Sequence, residues 1–405
     1  MKDKLTRIAV SAFAFAALML TGCIDNSDDS VGYIPVQIES QMPQQFPDAE
    51  IVSGKLVFRE LNTSETTAVS LPQYSSYLLT PGLYDVEGTA VLAYVDDDGS
   101  KVVKDARATA SSVVINSEVT VPLNWVFFNP DNTLLFEEIY FAGSMNATST
   151  GGIRDTYFTI YNNTDEVIYA DGIGIAESAL VNSKTNAFEI LTPANDRNRN
   201  FTAGTVLVIP GSGKDVPVYP GESIKIVDQA IRWSDDISWA LDHSDADFEW
   251  YDDNYQDVDN PSVPNLSKWY CYSLSIWIPS NQCNRSYALV RFPEDMTAER
   301  YLAEYHGAYE YISAIGTQMT NEKAYLIPNE WIIDGVNLSN REMWVYGALA
   351  NAIDNGFASI SDINKDPERF GRKFVRRTAA VTGDGRLILQ DTNDSSVDFT
   401  LESVR

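Results

Sequence analysis

Apolar residues along most of this chain come in short runs, often at every second position, with Gly, Pro, Asn and Asp between them. A two-residue period puts successive side chains on opposite faces of an extended strand, so it predicts sheet and not helix. Between Val36 and Trp125, Lys55-Leu-Val-Phe-Arg-Glu-Leu61 has an apolar centre and charged edges, as a half-exposed strand does. Val119, Val121 and Leu123 alternate in a closing strand. Leu92-Ala-Tyr-Val95 and Lys101-Val-Val-Lys104 flank Asp96-Asp97-Asp98-Gly99-Ser100, a hairpin in which Gly99 supplies the positive φ of a tight turn. Three adjacent Asp offer oxygens to calcium, but a solvated turn is the simpler account.

A second series of strands starts at Leu134-Leu-Phe-Glu-Glu-Ile-Tyr140 and continues through Tyr157–Tyr161, Val167–Ile173, Val206–Ile209 and Ser223–Val227. Beyond Ile231 the pattern is less sheet-like. Helices are expected at Thr297–His306 and at Arg341–Asp354, the second stopped by Gly356. The fold class is therefore mostly β, with two β-sandwich domains at residues 35–127 and 131–405. The second is the larger, with an irregular Trp/Asp-rich insertion at about 231–285 and one or two short helices; Val126–Pro130 forms the passage between the two.

Two motifs carry family resemblances. Leu79-Thr-Pro-Gly-Leu-Tyr-Asp-Val86 resembles the "L-x-P-G-x-Y-x-V" hairpin of prealbumin-like and carboxypeptidase-regulatory-like sandwiches, in which the module is structural or adhesive. In the second region Glu138-Ile139, Phe158-Thr-Ile-Tyr-Asn162, Ala170-Asp-Gly-Ile173 and Tyr219-Pro-Gly-Glu222 follow the order of a lamin-tail-type immunoglobulin-like sandwich. Thr159 and Ile173 depart from that family's acidic residue and Trp. Together with Phe374-Val-Arg-Arg377 and Gly385–Asn393, the arrangement resembles an uncharacterised family of Bacteroidetes surface lipoproteins. That resemblance implies a fold and a location and no activity.

The first residues read as an export signal at 1–22: Lys2, Lys4 and Arg7, an apolar run from Ile8 to Leu20, then Leu20-Thr-Gly-Cys23, which matches a lipobox. About thirteen apolar residues are too few to span ~30 Å of hydrocarbon. Cys23 is the expected lipidation site, and residues 23–34 form an acidic tether of the kind that resembles a surface-export signal. The expected location is the outer membrane, lipid-anchored and exposed at the cell surface. Acidic residues outnumber basic ones 57 to 29, a net charge of −28, and loss of the leader takes this to about −30. Such a charge opposes nucleic acid and favours solubility. The membrane, through the lipid, is thus the one sure partner; an outer-membrane transporter of a TonB-dependent uptake system is a further expectation from the lipoprotein class.

Cys271 and Cys283 remain after lipidation, and an oxidising compartment leads one to expect a disulfide between them. The stretch around them holds Trp233, Trp239, Trp250, Trp269 and Trp277, five of the eight Trp, with Tyr251, Tyr255, Tyr270, Tyr272 and many Asp. Aromatic faces beside carboxylates suit a glycan or a peptide ligand, and Trp233, Trp239, Trp250, Tyr251, Trp269 and Trp277 are the candidate binding residues. The competing account is an irregular insertion packed by its own aromatics. Asp242-His-Ser-Asp-Ala-Asp247 alternates oxygen ligands but lacks the Gly and bidentate Glu of a calcium loop. Only His243 and His306 could serve a Ser-His-acid triad, and no Gly-x-Ser-x-Gly elbow occurs. Gly211-Ser-Gly-Lys214 has Val208 where a phosphate loop needs its first Gly, so it reads as a hairpin tip. Arg369, Arg372, Lys373, Arg376 and Arg377 are read as balancing the acidic fold, with an anion site as the alternative. No catalytic motif and no cofactor are called for; a carboxylate-dependent hydrolase and a purely structural adhesion protein are the rival readings.

Metabolic labelling with a radioactive fatty acid is expected to mark the wild-type chain and to leave a Cys23→Ala variant unmarked. Equal labelling of both would remove the anchor.

Overall fold

The computed structural model describes residues 32–404 except 44–45, 73–74, 96–98, 128–133, 149–150, 183–195, 234–236, 238, 254–256, 313–316 and 346. The leader, Cys23 and most of the tether, the three Asp before Gly99, and Asp235, Asp236 and Tyr255 lie outside the described residues. The chain is mostly β, with few and short helices.

The first unit packs a three-stranded sheet on a five-stranded one. In the small sheet Ile34–Gln41 lies between Ser76–Leu79, antiparallel, and Val119–Asn124, parallel. The larger runs Thr66–Leu71, Glu50–Glu60, Gly82–Val95, Lys101–Ile115, Val126–Phe127, all antiparallel. The alternating apolar positions Leu56, Phe58, Val86, Leu92, Val121 and Leu123 close on Trp125 at the centre. Gly88 makes room for that indole, since a Cβ there would stand 2.7 Å from Trp125 Cη2. The Pro-Gly motif makes a connection from one sheet to the other and not the expected hairpin, since Ser76–Leu79 and Gly82–Val95 do not pair. Tyr84 beyond it is buried and its hydroxyl donates to Thr80 O at 3.1 Å. Beside it the Glu60 carboxylate is partly desolvated, which opposes ionisation. Donation from the Thr63 amide, the Asn62 side chain and the Leu83 amide outweighs that and holds its pKa at about 2.

The second unit is a sandwich of six and seven strands. The six-stranded sheet runs Phe248–Glu249, Ser223–Val227, Tyr157–Asn162, Leu134–Tyr140, Arg372–Arg376, Phe399–Ser403. The seven-stranded sheet runs His306–Ile312, Gln318–Pro328, Asn200–Val208, Ile173–Ser178, Ser286–Arg291, Ile332–Asn337, with Ser267–Cys271 also paired to Asn200–Val208. Phe136, Ile139, Phe158 and Ile160 of the first meet Ile173, Ile175, Tyr287 and Leu289 of the second in one core. The outer face of the seven-stranded sheet is covered too: Ala176, Phe201, Val206 and Val290 pack under Tyr301, Leu349 and Ile353. Strands buried on both faces carry continuous apolar runs instead of alternation. Tyr157–Asn162 and Ile173–Ser178 are accordingly buried at every position. Val126 joins that outer cluster, and Asn355 Nδ2 donates to Ser111 Oγ at 2.7 Å, so the two units touch.

The motifs of the second region make its turns. Asp171 accepts from the amides of Gly213, Asp215 and Val216 at 3.2, 2.9 and 2.9 Å, which ties the 211–214 tip to the Asp-Gly turn. Gly172 and Gly221 take the positive φ values of 73° and 79° that their turns demand.

Arg376 of the basic cluster serves the fold. Arg376 is buried; its Nη2 donates to Asp334 Oδ2 at 2.6 Å and its Nε to Phe136 O at 2.7 Å, while Asp334 Oδ2 also accepts from Phe136 N at 2.7 Å. Asp391 and Asp398 stand 3.7 and 3.9 Å away. Arg372–Arg376 pairs with Leu134–Tyr140 only at Phe374–Ile139 and Val375–Glu138. Side chains therefore satisfy the Phe136 peptide where the ladder stops.

Two expectations need correction or trimming. The helix at Thr297–His306 forms as Ala298–Glu304, with the Thr297 side chain accepting from Arg300 N as its N-cap. The expected helix Arg341–Asp354 does not form: a 3-10 turn spans Arg341–Met343, and Ile353 N and Asp354 N fold back on Ala350 O. The Ala348 amide is engaged by Asn182 Oδ1 and Ser286 Oγ, and Asp354 accepts from Asn337 N, Ser395 N and Ser395 Oγ. Tertiary hydrogen bonds have displaced the helical ladder there, while the apolar residues that suggested a helix still face the sheet.

Arg376→Met should lower stability by about 3–5 kcal/mol, because it strands Asp334 among buried carboxylates. Urea denaturation checks this; a loss below about 1 kcal/mol would show that the network carries little.

Candidate functional site

The expected binding aromatics do not share one surface. Trp250 and Trp277 are 3% and 1% exposed, with ring centroids 4.9 Å apart, and Trp277 stacks on Phe158 at 5.7 Å inside the sandwich. Trp250 Nε1 donates to Trp277 O at 3.0 Å. Trp233, Trp239 and Tyr251 are half-buried, and Trp239 Nε1 donates to Met145 O at 2.7 Å. Trp250 and Trp277 thus pack the core and cannot face a ligand, while Trp233, Trp239 and Tyr251 keep part of their surface exposed. Trp269 alone of the six lines a groove.

The carboxylates nearby are mostly engaged at home. Asp242 accepts from Ser244, Asp247 from Lys225 N, and Asp257 from Gln229 Nε2 while pairing with Arg154 at 2.9 Å. Asp252 pairs with Lys268. Among the described residues no group of three His, Cys, Asp or Glu is placed to hold a metal. His243 is fully buried, its Nε2 2.9 Å from Asp155 O, and burial pushes its pKa down.

The expected disulfide is also corrected. Cys271 and Cys283 are both buried and both free. Cys271 Sγ lies 3.1 Å from Ser273 Oγ and 3.6 Å from Ile276 O, whereas Cys283 Sγ donates to Ser339 O at 3.6 Å. Each thiol packs as a small apolar group with its own weak acceptor. Burial pushes the Cys283 thiol up to about 12, which keeps it unreactive.

The groove arises from how one strand edge is paired. Asn200–Val208 is held on one side by Ile173–Ser178. On the other side it pairs with Gln318–Pro328 through residues Asn200 to Ala203 and with Ser267–Cys271 from Thr205 to Val208. Gly204 lies at the junction, and its carbonyl accepts from Tyr272 N at 2.8 Å. Tyr325 is opposite Ala203 and Tyr270 opposite Val206, so the two rings meet with centroids 4.2 Å apart. Ala179, Ala203 and Gly204 leave the floor low; a Cβ on Gly204 would stand 3.0 Å from Ala179 Cα. The result is an open groove of about 900 Å3 walled by Trp269, Tyr270, Tyr272, Leu274, Leu302 and Tyr325. Tyr272 is 58% and Leu274 81% exposed. Lys268 and Arg285 also line it, and among its described lining residues there is no Asp or Glu.

Sequence reasoning reached Trp269, Tyr270 and Tyr272 through the aromatic density of the stretch. It missed Tyr325, Leu302, Arg285 and the small-residue floor. One signal was available: an isolated Gly inside an apolar strand run, here Gly204, marks a bulge or a close backbone approach.

Comparison with known proteins agrees with this architecture. Residues 219–405 match the model of a family described as Protein of unknown function (DUF4876). The second half of the chain is thus DUF4876-like. A crystal structure at 2.50 Å resolution of a DUF4876 family protein from Bacteroides thetaiotaomicron VPI-5482 is similar over 91% of this chain and 94% of that one. Its TM-score is 0.53 and its identity 20%, a likeness of fold. No curated protein matches the chain.

With both thiols free, denaturation without reductant should release two reactive thiols per lipidated chain, and neither should react in the native state. Recovery of none after denaturation would restore the disulfide.

Proposed function

We propose that the protein is a lipid-anchored, surface-exposed lipoprotein of the outer membrane that binds a glycan segment in the groove at the junction beside Gly204. It acts as a binding or accessory component, beside a TonB-dependent uptake system. The lipobox ending at Cys23 and the acidic tether support the location. No helix of the described residues is long and apolar enough to cross a membrane, so the lipid is the attachment this reading uses.

The observation that carries the binding reading is the set of half-buried and exposed rings, Trp269, Tyr270, Tyr272 and Tyr325, along one open groove. Solvated aromatic faces are costly unless covered, and the C–H faces of a sugar cover them well. Catalysis by glycoside hydrolysis would need two carboxylates flanking the scissile bond. The described lining offers none, which favours binding over turnover at this place.

A glycan and peptide array probed with the full-length chain in detergent should show glycan binding. Tyr272→Ala, which removes an exposed ring with little structural role, should weaken it about tenfold, roughly 1.4 kcal/mol. Binding of peptides alone, or binding untouched by Tyr272→Ala, would move the function elsewhere.

A further inference from the structure

The groove differs in charge from the chain that bears it. Acidic residues outnumber basic ones about two to one overall, yet the described charged residues of the lining are Lys268 and Arg285. Lys268 is occupied, paired with the buried Asp252 and donating to Ser275 O at 3.2 Å. Arg285 is different. Its Nη1 donates to Ser178 O at 3.0 Å and to Ala179 O at 2.6 Å, two carbonyls at the groove floor. These fix the guanidinium in place without supplying a counter-charge.

The carboxylate that bears on Arg285 is Glu177, which accepts from Ser280 N at 3.1 Å and from Tyr287 Oη at 3.0 Å in the core. Burial pushes the Glu177 carboxyl above the usual carboxylate range, against the pull of Arg285 and these two donors. Glu177 is thus engaged in the core and does not line the groove.

Among the uncharged lining residues, the Tyr270, Tyr272 and Tyr325 hydroxyls can both donate and accept. The Ser178 hydroxyl is committed to Leu180 O at 2.7 Å. What the groove's charged side chains offer a ligand is donors without ionised acceptors. A neutral sugar hydroxyl is best served by a donor and an acceptor together, often a carboxylate; an acceptor-only group needs donors alone.

We propose that the glycan is acidic: sugar faces lie on the Trp269 and Tyr272 rings while a carboxylate or sulfate on the chain accepts hydrogen bonds from Arg285. This rests on the groove being the binding site, as proposed above. A guanidinium held by backbone carbonyls meets an oxyanion with little further loss of side-chain freedom, which is what makes Arg285 the specificity-determining residue.

The test is calorimetry on the full-length chain in detergent with oligogalacturonate, dextran sulfate and neutral dextran of equal length, at low and high salt. At least one acidic oligosaccharide should bind tenfold or more tightly than the neutral one, with a margin that shrinks as salt rises. Oligogalacturonate against dextran sulfate tells carboxylate from sulfate. Arg285→Gln should abolish the margin and Arg285→Lys should keep part of it. Thermal melts establish that both variants fold, and the salt dependence of the wild type stands as an independent readout. Equal affinity for neutral and acidic chains, or a preference that survives in a folded Arg285→Gln variant, overturns the proposal. If Tyr272→Ala still weakens binding in that case, the groove remains the site; if no glycan binds or Tyr272→Ala changes nothing, the groove reading itself fails.

Discussion

The structure turns on one requirement, that the outer edge of the strand Asn200–Val208 be paired along its length. That strand lies in the middle of a sheet covered on both faces, and buried amides and carbonyls without partners cost about 1–3 kcal/mol each. No single strand meets the demand. Gln318–Pro328 covers the first half and Ser267–Cys271 the second, and they part at Gly204. The groove lies beside the junction where they meet, with the Tyr270 and Tyr325 rings in contact across it. Trp269, Tyr270 and Tyr325 at its wall belong to these same two strands, and Tyr272 follows directly on one of them, so the site follows from the pairing and is not an addition to it.

A second layer of support comes from buried polar groups that close what strands leave open. Arg376 and Asp334 satisfy both peptide groups of Phe136 and draw together the strands Leu134–Tyr140, Ile332–Asn337 and Arg372–Arg376. Asp354 does the same for the segment that crosses the outer face, through Asn337 and Ser395. Such groups cost desolvation, and what they return is a unique register.

Much of the fold was legible in the sequence. Two-residue alternation predicts the strands of the first unit. The Asp171-Gly172 and Pro220-Gly221 turns sit where their residue types require, whereas Pro81-Gly82 joins two sheets and not the arms of a hairpin. Arg376 and Lys373 of the basic run pair with acidic residues of the fold itself. Other features were not legible, for physical reasons. A Trp in an irregular segment carries no periodicity to say which way it faces, and Trp250 and Trp277 turned inward. A spacing of twelve residues between Cys271 and Cys283 sets no distance in space, and each thiol found its own niche. Ala348, Leu349 and Ala352 have helical spacing, yet they are buried in a segment where the Ala348 amide is claimed by the Asn182 and Ser286 side chains. The groove joins residues near 179, 204, 270, 285 and 325, which no local pattern connects.

The central claim is that a ligand is held at the Gly204 junction. Hydrogen–deuterium exchange of the full-length chain, with and without a saturating acidic oligosaccharide, tests it most directly. The account predicts slower exchange in the segments 178–179, 203–205 and 267–274, and little change in the first unit. Slowed exchange confined to other segments, with those three unaltered, would contradict it.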